Sequence, residues 1–439
     1  MGILKIMDAV EFMVNPEIFL SGGGGDKTDQ PGVDAVVSEI IAAVREEGDA
    51  AVRRYALRFE KETPEKFELP PEAAREAWEN LKAVDPALAS SLSFAADNIR
   101  RFAELQKEQF VSFEAEILPG LFTGQRVIPI DRAAVYVPGG RFPLISSALM
   151  GLIPAAAAGV REKILVSPPA AGGLPDRRIL AAAHLAGADR FFALGGAQAI
   201  AALALGTESV PRVDLIAGPG NRYVAAAKRL LFGEVGIDFI AGPTDVLVIV
   251  DGSSPNTADF VAADMIAQAE HDPDACARAL VPGVELAEQI TAALERRLVA
   301  LSDSATARAS LDSNGLVVVY QHKEEAVRIA NIIAPEHLEL QTENTEWWIP
   351  RLNNFGSLFI GHLSAEALGD YSAGINHTLP TSASARFTGG LSVRNFLKTV
   401  TTLRCVPGDG FENSRNAAEV LAKAEGLEGH ALSAALRGR

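Results

Sequence analysis

Cysteine is scarce in this sequence: Cys276 and Cys405 are the two in 439 residues. They stand far apart, and neither belongs to a C-x-x-C pair, so there is no pattern for a disulfide framework or a thiolate zinc site. Both are read as small buried hydrophobes. Long apolar runs are also missing. The longest, Ala148 to Val160, is broken by Gly151, Pro154 and Gly159 and falls short of the ~20 residues a membrane span needs. Positive charge is in deficit, with 40 Lys and Arg against 56 Asp and Glu and a net charge of −16. That balance argues against a protein that tracks nucleic-acid phosphates or an anionic membrane. A basic leader is missing too: Met1 to Leu20 carries Asp8, Glu11 and Glu17 among its apolar residues, which is not a signal peptide. The expectation is a soluble, cytoplasmic protein.

What is present is ordinary globular composition, 48% hydrophobic and 22% charged, which rules out disorder across the chain. The length suggests two or three domains at ~150 residues each. Residues 21 to 32 are glycine-rich; with no strand before them and no Gly-Lys-Ser/Thr after, they read as a linker, not a phosphate loop. Val36, Val37, Ile40, Ile41 and Val44 recur at helical spacing, and Ala87 to Gln109 predicts a second long helix.

The middle of the chain changes period. Short runs at Ala134–Val137, Lys163–Val166, Phe191–Leu194 and Val213–Ile216 alternate with Ala-rich helical segments, the pattern of βαβ units on a parallel sheet. Three of these runs end in glycine turns: Gly139-Gly140, Gly195-Gly196 and Gly218-Pro219-Gly220-Asn221. Glycine there lets backbone approach a ligand at the strand ends, although no G-x-G-x-x-G follows any of them. A second αβ series runs from Asp245 to Ile360. The predicted fold is α/β, with two incomplete Rossmann-like domains and a cleft between them. The expected limits are an N-terminal arm over 1–32, a first domain made of 33–135 plus 244–390, a second over 136–243, and a helical tail over 391–439.

Candidate chemistry clusters around a few of the seven histidines. Gln268-Ala269-Glu270-His271 closes a predicted helix, with residues 268 and 271 on one face. Spacing alone favours Glu270 over Gln268 as a metal ligand. Glu336-His337 follows Pro335 at a helix exit and reads either as an acid/base pair or as a cap. Gly369-Asp370-Tyr371 and Asn376-His377 fall in a long segment between Ile360 and Leu391, read as a functional loop. Glu425 and His430 lie in the tail. A mixed Gln, His and Asp set suits zinc or manganese. His184, His322 and His362 read as incidental.

These same residues carry a resemblance. Tyr136-Val137-Pro138-Gly139-Gly140, Gly195-Gly196-Ala197-Gln198-Ala199-Ile200, Gly218-Pro219-Gly220-Asn221 and Gln268-Ala269-Glu270-His271-Asp272 are followed by Ala334-Pro335-Glu336-His337-Leu338 and Leu368-Gly369-Asp370-Tyr371. Asn376-His377-Thr378-Leu379-Pro380-Thr381 and Glu425-Gly426-Leu427 complete the set. In this order and spacing, from about Val33 to Leu436, the chain resembles the histidinol dehydrogenase family.

The resemblance implies one zinc ion per site, held by Gln268, His271, Asp370 and His430 of the partner subunit in an intertwined homodimer. It implies that Glu336 activates water and that His337 is the general acid/base. Ser146, Thr244, His377 and Glu425 match substrate contacts, as do the metal ligands themselves, and Tyr136, Gln198 and Asn221 match positions that hold NAD. The implied reaction is a four-electron oxidation of L-histidinol to L-histidine through the aldehyde, in histidine biosynthesis.

Several positions depart from the pattern: Arg141-Phe142 after Gly140, Thr244-Asp245 for Ser-Glu, Phe239-Ile240 for Met-Pro, and Phe387-Thr388-Gly389-Gly390 for Phe-Ser-Ser-Gly. Arg141 would welcome an anionic substrate, as in paralogues that oxidise 2,3-dihydroxypropane-1-sulfonate to sulfolactate. A zinc hydrolase using Glu336 as base, and a non-catalytic two-domain binding protein, are the readings from other classes.

Overall fold

The computed structural model describes residues 3–16, 31–139, 143–170, 172–240 and 242–438. Among them the strands are β1 (Lys5–Asp8), β2 (Glu68–Leu69), β3 (Phe113–Leu118), β4 (Leu121–Pro129) and β5 (Arg132–Tyr136). Next come β6 (Glu162–Ser167), β7 (Arg190–Ala193), β8 (Leu215–Ala217), β9 (Gly236–Ile237) and β10 (Asp245–Val250). The last are β11 (Cys276–Val281), β12 (Leu316–Val319), β13 (His337–Gln341), β14 (Ser357–Ile360) and β15 (Leu397–Cys405). They form two six-stranded sheets and one of three strands.

The first sheet has the order β2-β7-β6-β5-β8-β9, parallel except for β2. Its faces follow the strand period of two. Ala134 and Tyr136 of β5 enter one core, Val135 and the adjoining Val137 the other. Helices supply the cover. Val33, Val37, Ile40 and Val44 of the helix Pro31–Glu47 sit three and four apart and bury together against Ile200 and Leu203, which gives that amphipathic helix its stability.

The second sheet, β1-β12-β11-β10-β13-β14, is parallel throughout. β10 and β11 are buried along their whole length and, Asp245 and Arg278 apart, are apolar throughout. Two α/β modules are therefore present, and most strand and helix limits in both series agree with expectation to within one or two residues.

The strand pairing corrects the expected division of the chain. β5 is central in the first sheet, and the helices of residues 31–108 pack on that sheet, so 33–135 groups with 136–237 and not with 244–390. β1 pairs with β12 in register Lys5↔Leu316, so the N-terminal arm contributes an edge strand to the second module. The glycine-rich linker lies mostly outside the described residues, and the helix Pro31–Glu47 begins within its expected span.

The tail also differs from expectation. Before its two helices, Asp409–Ala424 and Glu428–Ala435, comes the nine-residue strand β15, antiparallel to β4 from Leu397↔Pro129 to Cys405↔Leu121. β3 completes this sheet with every residue exposed, Phe113 and Ile117 included. Cys276 is buried as expected, whereas Cys405 is exposed on β15. Among the described residues, no helix is long and apolar enough to cross a membrane.

Candidate active site

The site is built on the starts of two neighbouring strands of the second sheet. β10 and β13 pair with Val246 opposite His337, which sets Thr244 and Asp245 beside Glu336 and His337. The helix before β13, Lys323–Ile333, ends on Ala334 in the left-handed region (φ 50°), a conformation that costs a non-glycine residue about 1–2 kcal/mol. Pro335 cannot extend the helix, and the chain turns so that Glu336 and His337 enter the interior. Both are buried, so the exit aims the pair into the interior.

Hydrogen bonds fix the pair. Thr244 Oγ1 donates to Glu336 Oε2, and Asp245 N donates to the same oxygen at 3.2 Å. Glu336 N donates to Asp245 Oδ1 at 3.1 Å, and His337 Nδ1 lies 3.3 Å from Asp245 O. Arg278, itself buried, neutralises Asp245 at 3.2 Å. Burial pushes Glu336 up to about 7 despite the neighbouring His337 and the Thr244 hydroxyl, which favour its charged form. Burial also disfavours charge on His337, but Glu366, Glu336 and Asp370 together outweigh it and raise the imidazole well above its usual value.

Asp370 is on the short helix Glu366–Tyr371, so the segment after Ile360 is more structured than the expected loop. Its Oδ1 lies 3.5 Å from His337 Nε2. Both atoms are buried without a hydrogen-bond partner among the described residues. Despite burial, His337, His377 and His271 together hold the Asp370 carboxyl below its usual range. Gln268, on the helix Thr257–Ala269, is fully buried. Its Nε2 donates to Thr244 Oγ1 at 2.6 Å, which leaves the single proton of that hydroxyl for Glu336. His271, just past that helix, is exposed, as is Glu270; it acts electrostatically on Asp370 and His377, while Gln268 joins the buried cluster directly through Thr244.

His377 ties the modules together. Its Nδ1 meets Asp370 O at 2.9 Å, and its Nε2 meets Ser147 Oγ at 3.1 Å. The hydroxyl on this histidine is that of Ser147; the neighbouring Ser146, expected as a substrate contact, is half-buried. Asn376 adds a bond to Met150 O at 2.7 Å. Arg141 and Phe142 lie outside the described residues. Glu425 and His430 line a groove of about 400 Å³ between the two tail helices, with Leu421 and Leu427, and the contacts within the cluster do not include them.

Sequence reading missed the residues beneath the cluster. Glu366 N donates to Glu339 Oε1 at 3.0 Å, while Gln341 Nε2 donates to Glu339 Oε2 at 2.7 Å and Asp264 Oδ2 at 2.8 Å. Burial pushes Glu366 up to about 8, and burial together with Asp264 raises Glu339 well above its usual value. The signal was present in His337-Leu338-Glu339-Leu340-Gln341, a strict polar/apolar alternation that marks a strand. Its polar face is turned inward here.

In the first sheet the other expected site residues stand at the strand C-terminal ends. Tyr136 closes β5, with its phenol buried and pushed up to about 12, and accepts from Gly196 N at 3.2 Å. Gln198 is buried on the helix Gly196–Leu205, and Asn221 caps the helix Arg222–Leu231 by accepting from Tyr223 N and Val224 N. Gly218 stands at φ 108°, where a Cβ would lie 2.1 Å from Tyr136 O, so only glycine fits that turn. The turn is anchored by a buried ion pair between Lys228 and Asp238; Lys228 also donates to Gly218 O at 3.0 Å, and Asp238 accepts from Gly218 N at 2.8 Å. Lys228→Met is expected to cost about 3–5 kcal/mol by leaving a buried carboxylate alone. The urea midpoint would fall accordingly, and an unchanged midpoint would show that the turn does not depend on the pair.

A buried Glu–His pair, a convergent group of His337, Glu366 and Asp370 that could hold a metal ion and another parallel sheet with glycine turns at its strand ends have the make-up of an enzyme active site in a two-module α/β protein. The family description histidinol dehydrogenase matches residues 25–438. The chain is 47% identical over 408 residues to the histidinol dehydrogenase of Thermus thermophilus, covering 93% of this chain and 95% of that one. It is 44% identical over 406 residues to a protein of Ruegeria pomeroyi named histidinol dehydrogenase homolog, with 92% of each covered. The crystal structure of histidinol dehydrogenase from Elizabethkingia anophelis superposes with a TM-score of 0.91 at 32% identity, over 100% of this chain and 98% of that one. The protein is an oxidoreductase, and it belongs to the histidinol dehydrogenase family.

Proposed function

We propose that the protein oxidises L-histidinol to L-histidine through the aldehyde, with NAD as acceptor and one zinc ion per site, as a cytoplasmic homodimer. The observation that carries this is the pair of buried, unpartnered atoms His337 Nε2 and Asp370 Oδ1, 3.5 Å apart beside Gln268 and Glu336. Two orphaned acceptors or donors at that depth call for a polar guest.

The donor set fits a borderline cation: Gln268, His271 and Asp370 would hold zinc, with His430 of the partner subunit as the fourth ligand. When bound, zinc would orient the alcohol and aldehyde oxygen. NAD, held by Tyr136, Gln198 and Asn221, would accept a hydride in each half-reaction. His337 then takes the hydroxyl proton, for which a group titrating with several carboxylates around it is suited. Glu336, raised towards neutrality, deprotonates the water that hydrates the aldehyde. Ser147 and Asp370 hold His377 at the substrate's edge, and Glu425 of the partner subunit would close the pocket.

The cluster itself favours a cationic aminoalcohol. Glu336 and Glu366 flank His337 Nδ1 at 3.8 and 3.7 Å and Asp370 faces its Nε2 at 3.5 Å, and among the described residues Arg278 is paired with Asp245. The test is NADH formation by zinc-loaded protein with L-histidinol and 2,3-dihydroxypropane-1-sulfonate offered separately. Two NADH per histidinol is expected. Turnover of the sulfonate alone would overturn the substrate and point to Arg141. Hydrolysis without NADH would overturn the redox reading.

A further inference from the structure

We propose that Glu60 receives the adenosine ribose hydroxyls of the dinucleotide; this rests on the NAD reading above. Glu60 caps the end of the helix Asp49–Phe59 and reaches the turn after β7. Its Oε1 accepts from Gly195 N at 2.7 Å and from Gln198 Nε2 at 3.4 Å. Its Oε2 is buried with no partner among the described residues. A carboxylate oxygen shut away from water and left unpaired is costly, and the cost is visible in a carboxyl that burial pushes up to about 7.

The neighbouring groups define what would satisfy it. Gly196 N is already taken by Tyr136, and the helix N-terminus after Asn221 is filled by the Asn221 side chain. These turns therefore offer acceptors, and a carboxylate among them repels phosphate. A fragment that brings neutral hydroxyl donors fits, and a ribose diol on a carboxylate is the usual solution in dinucleotide sites.

Position selects the adenosine half. The reacting groups meet the first module at Ser147, on the helix that follows β5. β7 lies two strands from β5, ~10 Å away at the usual strand spacing. A dinucleotide with its nicotinamide at the Ser147 side places its other end at Glu60.

The experiment is calorimetric titration of zinc-loaded protein with NAD, ADP-ribose and NADP, for wild type and for Glu60→Gln and Glu60→Ala. Glu60→Gln keeps an oxygen for Gly195 N and removes the second acceptor. It is expected to weaken NAD and ADP-ribose alike by about ten- to a hundred-fold, with zinc content and melting temperature unchanged. Wild type should prefer NAD to NADP, and Glu60→Gln should narrow that gap. Unchanged NAD affinity in Glu60→Gln, with only Glu60→Ala melting lower, would overturn the proposal and leave Glu60 a structural cap. Loss of NAD binding with ADP-ribose unaffected would overturn it by moving the contact to the nicotinamide half. A wild type that binds neither NAD nor ADP-ribose would overturn the cofactor reading itself.

Discussion

Replacing His337 with asparagine is expected to lower kcat by about 10²- to 10⁴-fold, the range for losing a positioned general acid/base. Asparagine fills much of the volume and can still bond Asp245 O, so zinc content and NAD affinity should stay as in wild type. The variant separates chemistry from architecture because His337 Nε2 makes no hydrogen bond among the described residues. Glu336→Gln should behave differently. Burial raises Glu336 to about 7, and only its ionised form can accept a proton from water. In wild type kcat/KM should therefore rise with pH through an acid limb near or below 7, since a bound cation would lower the value further. Glu336→Gln should abolish that limb and stall the second half-reaction, with aldehyde accumulating after one NADH. If His337→Asn keeps near-wild-type kcat, or if Glu336→Gln still delivers two NADH per histidinol, the assigned roles are wrong.

The architecture was largely legible because parallel strands covered on both faces must be apolar throughout, and helices must show a stripe. β10 after Asp245 and β12 announce themselves in this way. What failed was assignment of elements to modules. Nothing local in Arg132–Tyr136 says whether it pairs with β6 or β10; pairing is set by contacts distant in sequence. β15 was missed for a related reason. Its alternation, Leu397, Thr399, Thr401 against Lys398, Val400, Thr402, has no buried apolar face, so the usual strand signal is absent. The rank of β13 was hidden because its inward face is polar, with His337, Glu339 and Gln341 buried against Asp264 and Glu366.

The site shows a similar division. Gln268, Glu336, His337, Asp370 and His377 converge although they span more than a hundred residues, and the resemblance, not periodicity, had grouped them. Spacing would have selected Glu270. The structure also shows which edge each module uses. The first sheet offers strand C-terminal ends, the usual ligand edge. The second offers strand starts, Thr244–Asp245 and Glu336–His337, so its own C-terminal edge faces away from the chemistry. The two sheets thus use opposite strand ends, and on the proposed function one end receives the cofactor and the other does the acid/base work.

Mixing two inactive variants should restore activity, the second large effect. His271→Ala removes a metal donor from the body of the site, and His430→Ala removes one from the tail. Each homodimer should lose most of its zinc and turnover. Within one chain, among the described residues, Glu425 and His430 in the tail groove make no hydrogen bond or ion pair with the cluster, yet Leu421, Leu427 and Leu432 are exposed around it, as is β3 along its length. An apolar surface of that extent is what an interface between copies requires. In a two-fold dimer whose tails are exchanged, a mixed dimer has one site with both lesions and one with neither. Co-refolding at equal amounts gives half mixed dimers, so about a quarter of wild-type activity should return. If each tail instead closed its own chain's site, every site would carry one lesion in every combination. Activity would then stay at the level of the separate variants, and exchange would be disproved while the cluster on the body remained intact.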